Sequence, residues 1–115
     1  MSLKNRNLSE AGLAALHGLR FLTREKSFLR ELSLVFLAFI ALAIRVNLFS
    51  ITLLIISFII LSFEAINTAI ERLCDFIHPG IDQNIKAIKD VSASAIFILL
   101  IFFFCVFVLW AFSIF

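Results

Sequence analysis

Glu64, Asn67, Glu71 and Asp75 are the residues of this 115-residue chain whose types and spacing could do chemistry. They follow a run of sixteen residues, Leu48 to Phe63, that carries no charge. On a helix they fall at i, i+3, i+7 and i+11, within one face about 80° wide. Ser57 and Thr68 lie on or beside the same stripe. Acids at the end of an apolar run call for protons or cations as partners. Glu64, the deepest, suits taking a proton from a membrane-bound hydroxyl. Glu71, two turns nearer water, suits a hard divalent cation such as Mg²⁺, which accepts a few carboxylates together with phosphate oxygens. Lys89 could neutralise a phosphate, and Asp90 could position Lys89 or a nucleotide hydroxyl. Glu25 is another acid near the same boundary. The competing reading makes Glu64, Asn67 and Glu71 polar glue between helices, paired with Arg30 or Lys89. Glu31 is read as pairing with Arg30 or Lys26 at a helix end.

The elements that carry these residues follow from composition. Hydrophobic residues make up 63% of the chain, including 15 Phe, and mean hydropathy is +1.12. A soluble core of this size could not hide that much apolar surface, so the chain reads as an integral membrane protein. Nucleic acid is excluded as a partner, because the basic residues flank apolar runs and form no continuous tract. Cys74 and Cys105 are expected at different depths, so no disulfide joins them. His17 reads as a solvated polar-face residue, His78 as a loop residue beside the Pro-Gly turn, and Cys74 as packing. No P-loop and no Ser/His/Asp set occurs.

In order along the chain, residues 8–27 read as an amphipathic helix with Ser9 as a candidate N-cap. Leu8, Ala15, Leu16, Leu19 and Leu22 fall on one side and Glu10, His17, Arg20 and Arg24 on the other. Such a helix suits the membrane interface, with packing on a soluble domain as the alternative. Residues 28–46, 48–77 and 85–115 read as three transmembrane helices. Arg45-Val46-Asn47 makes a short turn between the first two. His78-Pro79-Gly80 ends the second, with Pro79 excluding helix at His78 and Gly80 allowing the turn. Asp82 or Asn84 could cap the third, and Trp110 fits an anchor at the far interface. Nine of the ten Lys and Arg lie on the side of the N-terminus and the 78–89 loop; Arg45 is the exception. The positive-inside rule makes that side cytoplasmic and puts the C-terminus outside. A non-enzymatic assembly subunit, or an oligomer conducting protons or cations through Glu64, are the other function classes open to such a chain.

The stretch Glu64-Ala-Ile-Asn67-Thr68-Ala-Ile-Glu71-x-x-x-Asp75, followed by Lys89-Asp90, resembles the signature of the small bacterial integral-membrane diacylglycerol kinases, a family that includes the undecaprenol kinases. The Glu25-x-x-Phe28-x-x-Glu31 spacing matches as well. The resemblance implies a single all-α membrane lipid-kinase domain over residues 1–115, assembled as a homotrimer with active sites shared between subunits. It implies transfer of the γ-phosphate of ATP, with Mg²⁺, to a membrane lipid alcohol in the bacterial inner membrane. Carried over, Glu64 is the general base, and Glu25 and Glu71 are metal ligands. Arg6, Asn67, Gly80, Ile81, Asp82, Lys89 and Asp90 fall at nucleotide-binding positions. Ser27, Phe28, Glu31, Glu64 and Ala93 fall at lipid-substrate positions. Diacylglycerol, giving phosphatidic acid, is the first choice of substrate and undecaprenol the alternative. Gly18 stands seven residues before Glu25, where the family often has eight. Ser92-Ala93 replaces the Gly-Ser of diacylglycerol-type members, which leaves room for a polyprenol.

The orientation is testable with topology reporters. A reporter fused after Phe115 should report an external location and one inserted at Gly80 a cytoplasmic location; the opposite pattern overturns the assignment.

Overall fold

A computed structural model describes residues 7–115, which form four helices. They are α1 (Leu8–Leu22), α2 (Lys26–Ile44), α3 (Leu48–Ile77) and α4 (Gln83–Ile114). There is no strand among the described residues. The last three are long and apolar enough to cross a membrane. At ~1.5 Å per residue, α2 spans about 28 Å, α3 about 45 Å and α4 about 48 Å. Only α2 matches a hydrocarbon layer of ~30 Å. The surplus of α3 and α4 is where their polar residues lie.

Helix α3 is the middle of the bundle and packs along both α2 and α4. The core joins Ala38 and Ala41 of α2, Leu53, Ile56 and Ile60 of α3, and Ile96, Phe103, Val106 and Trp110 of α4. Ala38 and Ala41 let the α2 backbone approach α3 closely, which is how helices associate where lipid removes the hydrophobic drive. Ser50 and Ser57 are wholly buried on the same α3 stripe. The Ser57 hydroxyl donates to the Leu54 carbonyl, so it enters the core satisfied.

Several boundaries differ from the sequence reading, each for a local reason. Helix α1 is capped by Asn7, not Ser9: the Asn7 side chain accepts from the Glu10 N–H at 2.8 Å and from the Ser9 hydroxyl at 2.9 Å. It stops at Leu22 rather than 27, because Arg24 and Glu25 donate to Phe21 and Leu22 in a tight turn and the Thr23 hydroxyl takes the Arg20 carbonyl. Helix α2 therefore starts at Lys26 and ends at Ile44, two residues ahead of the expected 28–46. Glu25 is its N-cap residue, yet its carboxylate makes no capping bond. It is left available to another helix. Helix α3 has the predicted limits. Helix α4 begins at Gln83 instead of 85, since Asp82 caps it by accepting from Asn84 and Ile85 at 2.8 and 3.1 Å. The His78–Gly80 turn uses no left-handed residue, so it does not depend on glycine.

The end of the bundle away from α1 is closed by side chains. Asn47 and Ser50 form a reciprocal capping box at the start of α3, both bonds 3.0 Å. The Asn47 amide also donates to Ser113 at 2.8 Å, tying α3 to the end of α4. Trp110, read from sequence as an interfacial anchor, is buried instead, and its indole N–H donates to the Arg45 carbonyl at 3.4 Å. The turn needs a donor there because its backbone carbonyl is otherwise outside any helix ladder.

Asn47→Ala removes the cap and the α4 tie together. It should lower stability by about 1–2 kcal/mol, read as a lower unfolding midpoint in detergent, whereas Asn47→Asp should keep the cap and lose only the tie.

Candidate functional site

The polar stripe of α3 forms one wall of a cleft at the α1 end of the bundle. The cleft holds about 420 Å³ and is lined by Ser27 and Arg30 from α2, Glu64, Asn67 and Glu71 from α3, and Ala93, Ile96, Phe97 and Leu100 from α4. Five residues singled out from sequence thus meet in one place: Ser27, Glu64, Asn67, Glu71 and Ala93. One wall is polar and the α4 wall is apolar.

Burial falls along the stripe in the expected order. Glu64 is 2% exposed, Asn67 is 6% exposed, and Glu71 and Asp75 are exposed. Glu64 forms no ion pair among the described residues. A carboxylate at that depth, without a fixed counter-charge, faces the cleft that Ser27 also lines. Asn67 is the junction of the site. Its amide N–H donates to Glu71 Oε1 at 3.1 Å, and its Oδ1 accepts from the Ser92 hydroxyl at 2.7 Å. The first bond orients Glu71 one turn away; the second locks α3 to α4. Ser92 was not among the sequence-derived site residues. Its place one turn before Ile96, a core residue, is the signal that puts it on the α3-facing side of α4.

The charged residues around the cleft are partnered differently from the sequence reading. Neither Arg30 nor Lys89 pairs with Glu64, Asn67 or Glu71. Arg30 binds Glu31 at 2.9 Å, as one of its two expected pairings, and Glu31 is 1% exposed. Lys89 binds Asp75 at 2.5 Å, joining the end of α3 to the start of α4. Asp90 does not position Lys89. It binds Lys86 at 2.7 Å, because on a helix the residue four back shares its face while the adjacent residue points about 100° away. Glu25 pairs with Arg72, whose guanidinium also lies 5.3 Å over the Phe21 ring. This ties the α1–α2 turn to α3, one residue beyond Glu71.

The remaining sequence-derived positions lie outside the cleft lining. Phe28 is buried beneath α1, beside Leu19, Ala65 and Ile66. Gly80, Ile81 and Asp82 sit in the α3–α4 turn, with the Asp82 carboxylate spent on the α4 cap. Arg6 lies outside the described residues. Arg30, named from sequence only as a pairing cation, lines the cleft, and Ile96, Phe97 and Leu100 were missed, because an apolar wall looks like any other lipid-facing run in sequence.

A magnesium ion in this region would find oxygen donors of the right kind. No cluster of three or more His, Cys, Asp or Glu exists among the described residues. Glu71 uses one oxygen on Asn67, and Glu25 is bound by a partly exposed arginine. Two carboxylates are the sparse protein ligation Mg²⁺ takes when phosphate oxygens complete its shell; of the two expected here, Glu71 lines the cleft and Glu25 does not.

If the Asn67–Ser92 bond locks the helices, Ser92→Ala should cost about 1–2 kcal/mol, since it leaves a buried amide oxygen unpaired. Ser94→Ala, where the hydroxyl bonds only its own helix and is exposed, should change the unfolding midpoint little.

The family profile for prokaryotic diacylglycerol kinase matches residues 13–111, most of the chain. No curated protein and no solved structure gives a match.

Proposed function

The chain belongs to the prokaryotic diacylglycerol kinase family, and from that premise we propose that it is an integral-membrane lipid kinase of the bacterial inner membrane. It transfers the γ-phosphate of ATP, with Mg²⁺, to the hydroxyl of a membrane lipid. The observation that carries this reading is the buried, unpaired Glu64 facing a cleft whose outer rim holds Glu71 and, nearby, Lys89. Such a gradient, from a dry carboxylate to wet charges, suits a lipid hydroxyl entering from the membrane and a nucleotide from water.

Glu64 accepts the hydroxyl proton as the lipid oxygen attacks phosphorus. Asn67 holds Glu71 in place, and Glu71 with Glu25 would hold the metal. The metal, when bound, offsets phosphate charge and orients the phosphates. Lys89 would leave Asp75 to neutralise a phosphate oxygen, and Glu25 would leave Arg72 to help hold the metal. Both swaps cost little, because exposed ion pairs contribute only ~0–1 kcal/mol. Arg6, Gly80, Ile81, Asp82 and Asp90 are assigned to the nucleotide by family resemblance, and Phe28, Glu31 and Ala93 with Ser27 to the lipid. Helix α1 lies along the interface, and three copies assemble with shared sites.

Diacylglycerol, giving phosphatidic acid, is the proposed substrate. A specific observation favours a second reading: Ala93 stands in the cleft with Ile96, Phe97 and Leu100, so α4 offers an apolar wall there. Undecaprenol, with one hydroxyl on a long hydrocarbon, suits that wall.

Glu64→Gln should reduce lipid phosphorylation by at least ~10²-fold while nucleotide binding persists. Labelled ATP offered with each lipid in mixed micelles reads both points. Full activity of the variant removes Glu64 as the base, and lipid-independent ATP turnover removes the kinase reading.

A further inference from the structure

A second polar feature lies on α1 and the turn that follows it, away from the cleft. His17, Arg20 and Arg24 recur at i, i+3 and i+7 and line a recess of about 200 Å³ with Phe21. His17, Arg20 and Arg24 are exposed, and none forms an ion pair among the described residues. Residues 1–6 contain no Asp or Glu that could neutralise them. Glu25, the nearest acid in sequence, is held by Arg72. Two uncompensated guanidinium groups lining one recess repel each other, so an anion shared between them is favourable.

The position of the recess narrows the anion. Ala15, Gly18, Leu19, Phe21 and Leu22 of α1 face Ala65, Thr68, Ala69 and Arg72 of α3 across an apolar groove. That part of α3 is where its apolar stretch gives way to charge. Helix α2 enters its apolar run only a few residues beyond Arg24. The basic recess is therefore level with the membrane edge, at headgroup height. Phe21 also lines it, an apolar surface for which a free phosphate has no use and a glycerol–acyl boundary does.

We propose that the recess formed by His17 and Arg20 of α1 and Arg24 of the following turn binds the phosphate of an anionic phospholipid headgroup. The site is separate from the cleft between α2, α3 and α4. It holds α1 down on the membrane surface and raises the local share of anionic lipid beside the bundle. The proposal rests on the membrane assignment and not on phosphoryl transfer. A binding readout therefore fails or succeeds independently of the kinase reading.

The test uses the full chain in neutral detergent micelles, titrated with phosphatidylglycerol, phosphatidylcholine or inorganic phosphate, with bound lipid counted by native mass spectrometry. Phosphatidylglycerol should bind more tightly than phosphatidylcholine, and its affinity should fall as salt is raised. The double variant Arg20→Gln/Arg24→Gln should weaken phosphatidylglycerol binding by about tenfold. Lys86→Gln, an exposed cation on α4, should leave it unchanged. Equal binding of the two lipids, or equal losses in the α1 and α4 variants, overturns the site. Displacement of the lipid by inorganic phosphate at matched concentration overturns the headgroup assignment in favour of a soluble anion. If the double variant does not fold, the single variants Arg20→Lys and Arg24→Gln decide: the first should retain binding and the second lose part of it.

Discussion

A carboxylate carried by a membrane-crossing helix has to find polar company inside the protein, because hydrocarbon offers none. Glu64 imposes that requirement here. Its company is assembled from both neighbours of α3: Ser27 and Arg30 from α2 line its cleft, and Ser92 from α4 binds Asn67 one turn along. This needs α3 to be the central helix, in contact with both others along its length. It also needs α3 to outrun the apolar layer, so that Glu71 and Asp75 reach water while Glu64 stays dry.

The two ends of the bundle are held by different forces. At the far end, Asn47, Ser50, Ser113 and Trp110 use neutral hydrogen bonds, largely buried, which are costly to break. At the site end, the links between elements are charge pairs with at least one exposed partner: Arg72–Glu25 and Lys89–Asp75. Such pairs exchange for other ligands at small cost. The Asn67–Ser92 bond is the exception at that end, and it sits where α3 must not separate from α4. The fold is thus fastened at one end and adaptable at the other, which is the division a binding cleft requires.

Each spanning window buries a third or less of its residues within one chain. Phe97, Phe102, Phe104 and Phe112 of α4 are exposed, as suits helices whose remaining surface meets lipid. The cleft is correspondingly open, with α4 forming an apolar side next to that surface.

Much of this was determined by the sequence alone. The overlong apolar runs required three spanning helices, because no soluble core of 115 residues could cover them. The period of 3.6 put Glu64, Asn67, Glu71 and Asp75 on one face, and their distance from the apolar run set their order of burial. The signature around Glu64 and Lys89 named the family. Tertiary structure alone decided the partners. Lys89 chose Asp75, and Glu25, left unused by its own helix, chose Arg72. Ser92 became a site residue and Trp110 a core residue for the same reason. Helical periodicity states which way a side chain points relative to its own axis. It says nothing of what the next helix presents opposite, and that depends on how three axes pack.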